Sequence, residues 1–187
     1  MSATFPRPAD FDDAAVVASK TKMESALAAL ENERARKEDF LNNSDPKNTD
    51  MVEEINQFDD LIKKYHTVFS MARQQMNYVT FLKEMRTSLD ISYTFSSDPT
   101  KFQQLIDRCN KLRLAEHHLP NETQNYQRLC CLAKIRYKLD CFRACAMVVQ
   151  DLVALREKFP NSDIESEIKS HSYELNDSVR SFISTLG

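Results

Sequence analysis

Between residues 51 and 79 the apolar positions follow a helical period without a miss. Met51, Ile55, Phe58, Ile62, Tyr65, Phe69, Ala72, Met76 and Val79 are spaced alternately four and three apart. That is four heptads of a and d positions, and it predicts a helix with one apolar seam. Asp50 and Glu53 have the spacing of a capping box, which places the helix start near 50. Past Val79 the seam moves to Leu82, Met85 and Leu89, a discontinuity of the stutter type, with the helix expected to end near 91. Unbroken, such a helix would be roughly 60 Å long at 1.5 Å per residue. Val52, Leu61, Val68 and Phe81 lie off the seam and widen the apolar face, as in a helix that touches more than one neighbour.

Four further helices follow from the same kind of reading. A first one is expected over 11–42, with a thin seam of Met23, Leu27, Leu30 and Leu41 interrupted by the charged run ENERARKED. NNSDPKNT separates it from the heptad helix. SYTFSSDPT makes the next break, and Asp98-Pro99 reads as an N-cap followed by the first helical residue. A third helix over 99–117 carries Phe102, Leu105, Cys109 and Leu112 on one face, and HHLPNET ends it at Pro120. A fourth runs over 121–159, up to Phe159-Pro160. Ser162 with Glu165 caps a fifth, which extends to about 185 with Ile164, Ile168, Leu175, Val179 and Phe182 inward. The expected fold is all-α: an elongated bundle of about five helices that includes a long heptad-patterned hairpin. Residues 1–10, with Pro6 and Pro8, are expected to be a flexible tail. Residues 11–95 would form the coiled-coil-like hairpin, and 96–187 a C-terminal bundle packed on it.

Composition removes whole classes of activity. The 187 residues include one glycine, Gly187 at the very end. Phosphate-cradling loops, the dinucleotide fingerprint and the nucleophile elbow all require glycines, so none can be present. Basic and acidic residues number 25 and 28, for a formal charge of −3. That balance gives no electrostatic footprint for nucleic acid. No apolar run reaches the ~18 residues that span a bilayer. The opening MSATFPRPADFDD lacks the apolar core of a signal peptide, so secretion is not expected and Asn42, Asn121 and Asn176 read as chance glycosylation matches. Five cysteines, an odd number, then suggest reduced thiols in the cytoplasm or nucleus.

Four of those cysteines crowd into RLCCLAKIRYKLDCFRAC, residues 128–145. A structural zinc site needs four converging ligands. Adjacent Cys130 and Cys131 diverge by about 100° on a helix, whereas Cys141 and Cys145 share a face. Leu132, Ile135, Leu139, Phe142, Ala146, Val149 and Val153 continue the three–four spacing through the segment, which favours cysteine as a small core residue. The stretch IRYKLDCFRACAMVVQDLVALREKFPNS resembles the second half of one tetratricopeptide unit, with Asp140 where that family has its turn glycine and no second copy along the chain. The resemblance implies a helix–turn–helix break near Leu139-Asp140, which would bring the cysteine pairs together. His117-His118 ends a helix and suits its negative pole; His66 and His171 are isolated.

These readings lead to no catalytic, cofactor or metal residues. What remains is a non-catalytic scaffold or adaptor subunit of a larger assembly of the cytoskeletal, motor-associated, kinetochore or tethering kind. Its expected partners are proteins bound through helical seams, with Met51, Ile55, Phe58, Ile62, Tyr65, Phe69, Met76 and Val79 as the seam. Homo- or hetero-oligomers fit, whereas nucleic acid and a membrane span do not. A nuclear chromatin or transcription scaffold is the alternative, followed by a cysteine-based redox or metal protein.

Overall fold

A computed structural model describes residues 10–45, 51–90, 99–119 and 125–186. Five helices account for nearly all of them: α1 (Asp13–Asn43), α2 (Met51–Asp90), α3 (Pro99–His117), α4 (Tyr126–Lys158) and α5 (Ile164–Thr185). The chain is all-α, and the described residues include no strand. Asp50, Asp98, Pro120 and the 1–9 tail, each given a role above, lie outside the described residues. None of the helices is long and apolar enough to cross a membrane.

The chain divides into two compact units, and the division falls inside α2 between Thr80 and Phe81. The expectation from sequence put it at 95/96. The seam discontinuity after Val79 is the physical marker of the observed place. Up to Val79 the apolar residues keep one heptad register. From Phe81 they turn to a different set, and Phe81, Leu82, Met85 and Leu89 are all buried.

The unit from Phe81 onward also takes in Phe11. Its core comes from that end of α2 and from one face each of α3, α4 and α5. Phe102, Leu105, Cys109 and Leu112 on α3, and Ile168, Leu175, Val179 and Phe182 on α5, are all buried. α4 is the central helix and packs against both neighbours. Its buried row is Cys131, Leu132, Ile135, Leu139, Phe142, Ala146, Val149 and Val153. Cross-links set the directions. Gln150 donates to Gln103 at 2.8 Å, Arg113 to Asp140 at 2.9 Å and Arg136 to Glu116 at 2.5 Å. Positions that rise along α3 meet positions that fall along α4, so the two are antiparallel. Arg156 to Glu165 (2.6 Å) and the edge-on rings of Phe142 and Phe182 (5.6 Å) show the same for α4 and α5.

Glu116 is the charged group inside this unit, 4% exposed in the last turn of α3. A carboxylate there faces the negative end of the helix dipole. Three guanidinium hydrogen bonds offset that: Arg113 Nη1 to Oε2 at 2.9 Å, Arg136 Nε to Oε2 at 3.2 Å and Arg136 Nη2 to Oε1 at 2.5 Å. The same bonds push the Arg136 pKa up. Since Arg113 also holds Asp140, two ion-paired arginines tie α3 to the middle of α4.

Three local expectations are corrected. α1 begins at Asp13 rather than at 11, because Asp12 is the N-cap and accepts the Ala15 N–H at 2.8 Å. Phe11 therefore lies before the helix, 1% exposed beneath the Arg86 guanidinium. α4 does not break at Leu139-Asp140 but runs from Tyr126 to Lys158. No proline or glycine interrupts that span, and Leu139 and Phe142 keep the register of the buried row, so the helix has every reason to continue. Finally, Ser162 does not cap α5. Its hydroxyl donates to the Phe159 carbonyl at 2.6 Å, and Asp163 occupies the cap position without a side-chain bond.

Candidate helix–helix interface

Asp12–Thr80 forms the other compact unit, made of α1 and the first three-quarters of α2. Contacts between the two helices gather where they approach their connection. The Phe40 and Phe58 rings meet tilted at 43° with centroids 5.5 Å apart, Lys37 pairs with Asp59 at 2.5 Å, and the Arg36 guanidinium lies 5.9 Å from the Phe58 ring centre. Phe40 takes the inward place that the sequence reading gave to Leu41, which is 43% exposed.

The partly or fully buried positions of α1 include Val16, Ser19, Met23, Ala26, Leu30, Glu33, Lys37 and Phe40, spaced three and four apart throughout. This is a heptad seam as regular as that of α2, but two of its members are charged. Glu33 is 3% exposed. Its Oε2 accepts from Arg36 at 3.0 Å, while Oε1 is buried with no hydrogen-bond partner. A cavity of about 570 Å³ beside it is lined by Glu33, Arg36, Glu53, Glu54, Gln57, Phe58 and Leu61. Sequence reasoning missed this seam because it followed apolar residues only. Carrying the period through Glu33 and Lys37 would have found it.

Along α2 the residues singled out from sequence sit as follows. Met51, Ile55, Phe58, Ile62, Tyr65, Phe69 and Met76 are half-buried, and Val79 is buried at 2%. From Met51 to Val68 every residue off the seam is exposed. The row is therefore covered along one line only. Leu61 (38%), Val68 (46%) and Met71 (56%) form an apolar flank beside it, open to solvent. Val52, expected to meet a second neighbour, is 64% exposed. Two or more neighbours were inferred from this widened face, and within the unit one helix is present.

The cysteines separate by environment. Cys109 and Cys131 are buried, Cys130 and Cys141 half-buried and Cys145 exposed, and all five are free thiols. Core packing thus accounts for the first two and not for Cys145. Burial pushes the Cys109 pKa up to about 12, and burial together with the nearby Cys141 raises that of Cys145. A raised pKa withholds the thiolate that attacks or ligates. Because α4 is continuous, Cys131 and Cys145 stand about 21 Å apart along its axis. Among the described residues no three His, Cys, Asp or Glu side chains gather where they could hold a metal ion. The His117 and His118 rings meet edge to face, 6.1 Å apart. No protein-family model, curated protein or solved structure matches this chain.

Proposed function

We propose that the protein is a non-catalytic adaptor that holds other proteins through helix–helix contacts on its α1–α2 unit. The carrying observation is the half-covered seam of α2 and the open flank beside it. A heptad row left half in water, next to exposed Leu61, Val68 and Met71, offers apolar area that a further helix would bury. Each Å² so removed from water contributes about 25 cal/mol. Recognition would be by side chains at i, i+3, i+4 and i+7 of the incoming helix. The five free thiols fit a reducing compartment, so we place this function in the cytoplasm, within a multiprotein complex.

The test uses two variants of the full chain. Leu61→Glu with Val68→Glu alters only exposed positions and should keep the wild-type melting temperature while losing the proteins that co-purify with the tagged wild type. Phe58→Asp places a charge against Phe40 and should also disturb the unit itself. Undiminished co-purification with the Leu61/Val68 variant would refute the proposal.

A further inference from the structure

The outer face of α4 is a second apolar surface, made of residues the α1–α2 reading does not use. Tyr126, Cys130 and Ala133 recur eleven residues later as Tyr137, Cys141 and Ala144. The apolar spacing continues through Val148 and Leu155 to Phe159. At 100° per residue this set falls in an arc of about 80°, which also takes in Asp151, opposite the buried row. Tyr126 is 74% exposed, Tyr137 66%, Val148 46%, Leu155 42% and Phe159 58%. An 11-residue period averages ~3.67 residues per turn, so the row runs nearly straight along an axis of roughly 50 Å. α4 is thus apolar on two opposed sides, and only one of them is filled.

From this we infer that the outer face of α4 docks one amphipathic helix with acidic flanks, carried by a partner protein. Two features choose that occupant. The row alternates a large ring with small thiol and methyl groups, which leaves gaps at helical spacing where the ridge of a second helix can seat. The helix also carries seven basic and three acidic residues in a chain of net −3, and with Arg136, Arg156 and Asp140 set aside, because Glu116, Glu165 and Arg113 hold them, the balance is five basic to two acidic. Lys134 and Lys138 lie along one edge of the row. A second copy of α4 would bring like net charge against this surface, whereas glutamate-flanked apolar residues would complement it.

The probe is a synthetic helix of α4's length, with leucines on the same 11-residue spacing and glutamates on both sides. It is titrated against the full chain by fluorescence anisotropy. The expected result is saturable binding that weakens as salt rises. Binding should fall by about tenfold or more, ~1.4 kcal/mol or more, for Tyr137→Glu with Val148→Glu. Both substitutions are at exposed positions, so circular dichroism and melting should match the wild type. Loss of acidic-peptide binding in the Leu61/Val68 variant, with retention in the Tyr137/Val148 variant, would assign the contact to the other surface and overturn the inference. Equal binding of a lysine-flanked peptide would overturn the charge argument and with it the occupant. So would a dimer in sedimentation that Tyr137→Glu with Val148→Glu dissociates, or equally sensitive binding to phosphatidylserine vesicles. In those cases the face would belong to a second copy or to a lipid surface.

Discussion

Replacing Glu116 by Gln keeps the shape of the side chain and removes its charge. In the native protein the carboxylate receives one bond from Arg113 and two from Arg136, all at 3.2 Å or less. A hydrogen bond to a charged group contributes about 1.5–3 kcal/mol, and orphaning a fully buried partner costs about 3–5 kcal/mol. The lower range applies here, because the Arg113 and Arg136 side chains are 31% and 47% exposed and can turn to water. The amide also still accepts one bond, and the unfavourable dipole placement of the carboxylate disappears. A loss of about 2 kcal/mol is expected, or roughly 4–8 °C in melting temperature for a chain of this size. Urea unfolding followed by circular dichroism measures it, and amide exchange along α3 and α4 localises it. Arg136→Gln alone should lose a similar amount, and the double variant less than the sum of the two, because the groups form one network. If Glu116→Gln unfolds within about 0.5 kcal/mol of the wild type, a change typical of a surface site, the network does not hold α3 to α4.

Glu33→Leu should act in the opposite direction. It removes a buried oxygen with no partner and restores an apolar heptad position, while Arg36, whose side chain is 62% exposed, rehydrates. A gain of about 1 kcal/mol in urea is expected, and destabilisation would show that the carboxylate is better satisfied than its surroundings indicate. Cys109 sets an alkaline limit. Its thiol is raised to about 12, so below pH 9 it is protonated in both folded and unfolded chains and gives no slope. Above pH 9 the unfolded thiol ionises and the folded one does not, and stability should fall by about 1.4 kcal/mol per pH unit until 12. Cys109→Ala should flatten that part of the profile, and an unchanged slope would refute the assignment.

The helical class and the α2 seam were legible because every position from Met51 to Val79 on the heptad grid is apolar. α3 and α5 were legible for the same reason, each burying one face. Where the sequence misled, the cause was a residue type serving against expectation. Glu33 and Lys37 occupy core positions of α1 and hid its regular seam. Leu41 looked like a core residue, although the register gives that place to Phe40. Phe11 carries no periodic signal, since a single anchoring ring before a helix is fixed by tertiary packing alone. Asp140 suggested a turn through its place in a resemblance, but the uninterrupted buried row around it kept the helix whole.

The same fault of following one track explains what was missed on α4. Its buried row was read correctly from Leu132 to Val153, and the cysteines of the segment were then read together as small core residues beside it. Cys130 and Cys141 in fact stand on the opposite face, each against a tyrosine one turn before it, where the thiol contact raises the phenol pKa of Tyr126 and Tyr137. A helix with apolar rows on both sides has little net amphipathic direction, so a search for one strong face passes over it. α5, with a single inward row, is the opposite case in the same unit. The cysteine-rich segment thus owes its composition to two demands. Cys131 fills space in the core, while Cys130 and Cys141 are the small members of an outward row in which tyrosine supplies the bulk. Neither demand calls for thiolate chemistry, and both call for a residue that is small, apolar and compatible with an uninterrupted helix.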